Sequence, residues 1–323
     1  MRRVLLTGGG GFIGANLVRR LLADGCEVSL LVRPNFQDWR LADLRGSLNL
    51  LAVDLTDRAA VGRAVSGVRP SWIFHLAAYG NSSWHQDLDT MLAVNVRATQ
   101  NMLEAAAAAG VERLVYTGSS SEYGFKDHPS REDERVEPAS FYAVTKAAAT
   151  HLCTMAAGSG VHVTTLRLFN VYGPYEAPRR LITALALAGL EGALPPLVNP
   201  DVARDLVYVG DVAEALRVAA QAPVKSGGVY NVGTGRMLRL REIVETARAV
   251  MGITREPVWG SMPDRVWDTS TWVADPTLAQ RELGWVAQTP FAEGLQRTVS
   301  WFRERPVMQA YYRKAAAAGG ASG

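Results

Sequence analysis

Residues 4–14 read Val-Leu-Leu-Thr-Gly-Gly-Gly-Gly-Phe-Ile-Gly. A short apolar strand runs into glycines at 8, 11 and 14, and a helix with apolar Phe12, Ile13, Leu17, Leu21 and Leu22 begins between the last two. Glycine suits a chain that must turn tightly, let a pyrophosphate approach the backbone and pack a helix against a strand. The helix N-terminus then offers free N–H groups to the phosphates. Gly8, Gly11 and Gly14 are therefore expected to cradle a dinucleotide. A merely flexible turn would not need a strand before and a helix after.

The pattern continues as strands at Glu27–Val32, Leu48–Val53, Trp72–Leu76, Leu114–Thr117 and Val161–Phe169. Helices are expected near Arg58–Ser66, Asp87–Ala109 and Phe141–Ala157. Strands that are apolar throughout, alternating with amphipathic helices, predict a doubly wound parallel α/β sheet covered on both faces, a Rossmann architecture. Beyond Phe169 prolines break the pattern. A strand is expected at Leu206–Val209, a helix at Val212–Ala220 and a strand at Val229–Val232. The expected units are a dinucleotide-binding domain over 1–170, completed by 204–231, and a smaller C-terminal substrate lobe from 171–203 and 232–323.

A 323-residue chain that is 48% hydrophobic has ample material for such a core, and a net charge of +3 with scattered arginines gives no nucleic-acid footprint. Cys26 and Cys153 are isolated and read as reduced thiols, and the five histidines form no metal-ligand spacing. The apolar run after the first arginines is too short for a signal peptide, and no stretch suits a membrane span. The expectation is a cytoplasmic protein with no membrane or nucleic-acid partner and no metal.

The second strand ends Leu30-Leu31-Val32-Arg33-Pro34, with no carboxylate where NAD enzymes hold the ribose 2′-hydroxyl. Arg33, with Arg40 as a possible helper, predicts the extra phosphate of NADP. The alternative is NAD, served by Asp38. Asp54 and Leu55 after the third strand are placed to meet the adenine ring.

Tyr142 and Lys146 lie one helical turn apart, so they share a face; the chain contains only four lysines. A phenol needs nearby positive charge to act as an acid–base group at neutral pH, and a lysine ammonium supplies it. The strand ending in Gly118-Ser119-Ser120-Ser121-Glu122-Tyr123-Gly124 brings serine hydroxyls to the ligand-binding edge of the sheet.

With these pieces the chain resembles an extended short-chain dehydrogenase/reductase of the NAD(P)-dependent nucleotide-sugar epimerase, dehydratase and ketoreductase type. The resemblance runs through TGGGGFIG, Asp54-Leu55, His75 to Ala78, Asn95-Val96, the serine run, Tyr142-x-x-x-Lys146, Arg167 to Pro174, Arg204 to Tyr208, Tyr230 to Gly233 and Glu282 to Trp285. It implies that Gly8, Gly11, Phe12, Ile13 and Gly14 line the dinucleotide. Leu76, Ala77 and Ala78 would meet its middle. Ser119, Tyr142 and Lys146 would be catalytic, with Tyr142 and Lys146 also touching the cofactor.

On the sugar-nucleotide side it implies Asn170 and Arg204 at the diphosphate, with Arg265 as a substitute for a phosphate-binding arginine. Ser82, Ser120 and Ser121 are candidates at the sugar. It further implies a nucleotide-diphosphate sugar as substrate and a homodimer formed through the long helices. Ser121 stands where dehydratases of this type carry a glutamate, and Glu122, one place along, is expected to point to the other side. That departure argues against 4,6-dehydration. The favoured expectation is an NADPH-dependent 4-ketoreductase using Ser119, Tyr142 and Lys146. The alternative is a 4-epimerase that retains NAD(H), and a non-catalytic dinucleotide-binding protein is the remaining rival.

Overall fold

The computed structural model describes residues 1–80, 87–262 and 271–318. The large layer contains β1 (Arg3–Thr7), α1 (Phe12–Ala23), β2 (Glu27–Val32), β3 (Leu48–Ala52), α2 (Arg58–Val68) and β4 (Trp72–His75). Next come α3 (Leu88–Met91), a π-helical stretch Leu92–Arg97, α4 (Ala98–Ala108), β5 (Arg113–Ser119), α5 (Phe141–Ala156) and β6 (His162–Leu168). The smaller elements follow: β7 (Asn170–Tyr172), α6 (Leu181–Gly189), β8 (Ala203–Tyr208), α7 (Val209–Ala219), β9 (Gly228–Val232), β10 (Met237–Arg239), α8 (Leu240–Met251), α9 (Phe291–Arg303) and α10 (Pro306–Ala318).

Seven parallel strands form the main sheet in the order β3-β2-β1-β4-β5-β6-β9. Alternation along β1 shows why both faces must be covered: Val4 and Leu6 enter one core and Leu5 the other. Leu17, Val18 and Leu21 of α1, with Val212 and Leu216 of α7, fill the first core. Val61 and Val65 of α2, Met102 of α4, and Ala149 and Cys153 of α5 fill the second. Strand order reverses between β1 and β4, which opens a crevice at their C-terminal ends.

A three-stranded sheet, β10-β8-β7, carries the smaller lobe. Its core joins Ile182 and Leu185 of α6, Ile243 and Val244 of α8, Leu295, Val299 and Phe302 of α9, and Tyr312 of α10. Within the stretch 204–231, β8 pairs with β7 and β10, while α7 and β9 belong to the large layer. Both cysteines are free thiols. Among the described residues no helix is long and apolar enough to cross a membrane, and no cluster of His, Cys, Asp and Glu is arranged to hold a metal.

Candidate active site

The glycine turn after β1 is built by close approach. Gly8 has φ +70, and a Cβ there would lie 2.7 Å from the Ala77 nitrogen and the Leu76 carbonyl carbon. A Cβ on Gly14 would meet the Gly8 carbonyl oxygen at 2.2 Å. The turn therefore lies directly on the chain that leaves β4. Gly11 caps α1 without a side-chain bond, and no acid sits in the first helical turn, so the N–H groups face outward with nothing to compete with a phosphate. This is the shape and polarity a dinucleotide pyrophosphate requires.

The floor beneath the turn is pinned by groups whose sequence positions carried no assigned role. Thr7 Oγ1 lies 2.6 Å from His75 Nδ1 and accepts from the Ala77 N–H at 3.2 Å. Burial drives the His75 imidazole down to about 3, so it is neutral. Asn95, in the π-helical stretch, binds both Tyr79 backbone groups at 2.8 Å and donates to Thr145 Oγ1 of α5 at 3.0 Å. One buried amide thus joins the Leu76–Tyr79 segment to the helix that carries Tyr142 and Lys146. Asp54 is exposed, and its carboxyl is held below the usual range by the Thr56 N–H and hydroxyl. The Leu55 carbonyl is fixed by Asn101 Nδ2 at 2.9 Å.

The structure brings Ser119, Tyr142 and Lys146 together where β5 ends against α5. The Ser119 hydroxyl lies 2.7 Å from Ser121 Oγ and accepts from the Ser121 N–H at 3.2 Å. Burial pushes the Tyr142 hydroxyl up to about 12; the neighbouring Ser119 hydroxyl and, least of all, the Arg180 charge pull it down, and the Glu122 charge pushes it up. Lys146 is almost fully buried and turns its ammonium to the Thr117 carbonyl at 2.5 Å, 4.3 Å from the centre of the Tyr116 ring. Burial lowers it to about 8, with Glu122 and Cys153 acting in the opposite direction.

Glu122 is fully buried, in a 3-10 turn over Ser120–Tyr123 rather than on the strand-like segment expected. Ser120 is buried and accepts from Trp272 Nε1 at 3.0 Å. Asn170 opens β7, and its Nδ2 is buried with no hydrogen-bond partner. A buried amide donor left unmatched is costly unless a ligand completes it. Arg204 in β8 donates to the Ala203 carbonyl at 2.6 Å. The neighbouring acids have other partners: Asp201 pairs with Arg241, and Asp205 accepts from Thr234, Gly235 and Ala274. Ser82 and Arg265 lie outside the described residues.

The profile of the NAD dependent epimerase/dehydratase family matches residues 4–233. This chain belongs to that family. The family's UDP-glucose 4-epimerase from Mycolicibacterium smegmatis is 34% identical over 316 residues, covering 94% of this chain and 99% of that protein. MoeE5, solved with UDP-glucuronic acid and NAD, is 35% identical with a TM-score of 0.81, covering 94% of this chain and 99% of its own. The UDP-glucose 4-epimerase of Thermus thermophilus, solved with NAD, is 33% identical with a TM-score of 0.82 and covers 93% and 99%. This member of the NAD dependent epimerase/dehydratase family is an enzyme, with the Rossmann sheet and smaller lobe that its sequence implied.

The NADP expectation is overturned. MoeE5 and the Thermus enzyme both hold NAD, and the loop after β2 shows why an arginine there was misleading. Arg33 is exposed on a turn, its carbonyl bonded to the Phe36 N–H. Arg40, the supposed helper, donates to the Tyr175 carbonyl at 2.9 Å and the Gly10 carbonyl at 3.3 Å, and its guanidinium lies 4.0 Å from the centre of the Trp39 ring. It ties loops together. Asp38, the alternative partner for NAD, is ion-paired to Arg45 at 2.9 Å.

Proposed function

We propose that this chain is a nucleotide-sugar 4-epimerase that retains NAD and acts on a uridine diphosphate hexose. The observation that carries the reading is the junction of β5 with α5, where Lys146 bonds the Thr117 carbonyl and Ser119 and Tyr142 are neighbours, set beside a glycine cradle shaped for a dinucleotide. NAD, when bound, supplies a hydride acceptor and a positive charge near the phenol. Gly8, Gly11, Phe12, Ile13 and Gly14 would hold its pyrophosphate, Asp54 and Leu55 its adenine end, and Leu76, Ala77 and Ala78 its middle. Asn170 and Arg204 would grip the sugar-nucleotide diphosphate, with the unmatched Asn170 Nδ2 donating to a phosphate oxygen.

As the phenolate, Tyr142 takes the proton of the sugar 4-hydroxyl as C4 is oxidised, and as the phenol it returns it once the ketone has turned over. Ser119 holds the same oxygen throughout. Lys146 fixes α5, which carries Tyr142, against β5 through the Thr117 carbonyl. Epimerisation needs no outside reductant. The ketoreductase favoured from the sequence rested on NADPH, and its motive disappears with the NADP expectation. Dehydration would require an acid at the sugar, yet Ser120 and Ser121 are hydroxyls and Glu122 is buried against Arg167.

The similarity to MoeE5 and to two UDP-glucose 4-epimerases supports UDP-glucose and UDP-glucuronic acid as first substrates to test. Incubating each with the protein and resolving the products by proton NMR tests the reading. The C4 epimer should appear with no added NADPH. No interconversion of either sugar, with NADPH consumed when a 4-keto nucleotide sugar is supplied instead, would replace this reading with the reductase.

A further inference from the structure

Glu122 is a carboxylate with no exposed surface, at the end of the serine run, and the reaction as derived gives it no task. Its two oxygens are divided. Oε1 accepts from the Ser119 N–H at 2.8 Å and the Thr150 hydroxyl at 3.0 Å, while Oε2 accepts from Arg167 Nε at 2.9 Å. The site is built to admit it. A Cβ on Gly118 would lie 2.8 Å from Glu122 Oε1 and 3.1 Å from Arg167 Cγ, so only glycine at 118 leaves room for the carboxylate.

We propose that Glu122 is a positioning residue for the epimerase reaction, fixing the main chain of Ser119 so that the serine hydroxyl meets Tyr142. The proposal rests on the epimerase reading. Burying an ion pair gives little net stability compared with an apolar pair of the same shape, so stability alone does not account for it. The bond to the Ser119 N–H reaches a catalytic hydroxyl through one residue. Thr150 links the same oxygen to α5, two turns from Tyr142. An amide cannot replace the carboxylate, because both oxygens accept and an NH₂ would face either Ser119 N–H or Arg167. The titratable groups around the carboxylate are Arg167 from β6, Lys146, Tyr142 and Cys153 from α5, and Tyr116 and Tyr123 from β5 and the turn after it.

The test compares Glu122→Gln with the double variant Glu122→Gln/Arg167→Met, which leaves no unpaired buried charge. For each, kcat, KM, the NAD dissociation constant and the thermal midpoint are measured. Tyr142 ionisation is followed by absorbance as the difference from the matching Tyr142→Phe protein. The expected result is kcat lower by about 10- to 100-fold, with KM and NAD affinity within a few-fold of the parent and the phenol of E122Q ionising at lower pH. The double variant should regain the parent's thermal midpoint without regaining kcat.

Recovery of both midpoint and kcat in the double variant would overturn the proposal, leaving Glu122 a structural charge. So would parental kcat and an unmoved phenol in E122Q. If the parent itself interconverts no sugar, the epimerase reading fails separately, and the phenol titration still decides whether Glu122 acts on the Ser119–Tyr142 pair.

Discussion

The ammonium nitrogen of Lys146 lies 2.5 Å from the Thr117 carbonyl oxygen, so α5 is fastened to β5 by a buried charge. Its folded form releases its proton near 8, against the ordinary 10.5, because burial disfavours the cation. Between those values the unfolded chain binds the extra proton, and stability rises with pH. The cost is fully present below pH 8 and is relieved as pH approaches 10.5, on the order of 3 kcal/mol. Denaturant unfolding of the parent and Lys146→Met at pH 7.5 and pH 10 measures it. The parent should gain on the variant over that interval, whereas parallel curves would contradict the assignment. Tyr142 has the opposite sign and acts only above 10, where the unfolded phenol ionises before the folded one.

Tyr142→Phe removes the proton carrier and keeps the ring. Turnover should fall by roughly 10²- to 10⁴-fold. NAD binding, read from quenching of protein fluorescence, should stay within a few-fold of the parent. Turnover close to the parent's would remove the phenol from the chemistry.

Asn170→Asp exchanges the unmatched amide donor for a carboxylate of the same shape. No hydrogen bond of that nitrogen is lost in the free protein. Affinity for UDP, measured by calorimetry, should weaken by about 10- to 100-fold, the worth of a hydrogen bond to a charged group. Unchanged UDP affinity would place the diphosphate elsewhere.

Arg40→Ala frees the Gly10 and Tyr175 carbonyls. Because Gly10 belongs to the cradle, NAD affinity should drop by about tenfold, with no shift in preference between NAD and NADP. A selective loss of NADP affinity would return Arg40 to the role first expected of it.

The large layer was legible because its strands are uniformly apolar and its glycine turn has a definite steric cause, seen at Gly8. Tyr142 and Lys146 were legible from one helical turn of spacing. The small sheet was harder to see: β7 and β10 have three residues each, too short to show alternation. Helix α10 was missed because its reason for folding is distant in sequence, with Tyr312 packing on Trp301 and Trp39. Arg33 and Arg40 misled for a related reason. An arginine's sequence position does not show whether its guanidinium will meet a phosphate or, like that of Arg40, two backbone carbonyls. Spacing likewise showed that Lys146 shares a face with Tyr142, but not that its ammonium would bond the Thr117 carbonyl.

The most direct measurement mixes the purified protein, without added cofactor or reductant, with UDP-glucose carrying deuterium at C4, and follows the sugar by proton NMR. The account predicts UDP-galactose that keeps deuterium at C4, because the hydride leaves and returns through one retained cofactor. Washout of the label to solvent, or a 6-deoxy-4-keto product in place of the epimer, would contradict it.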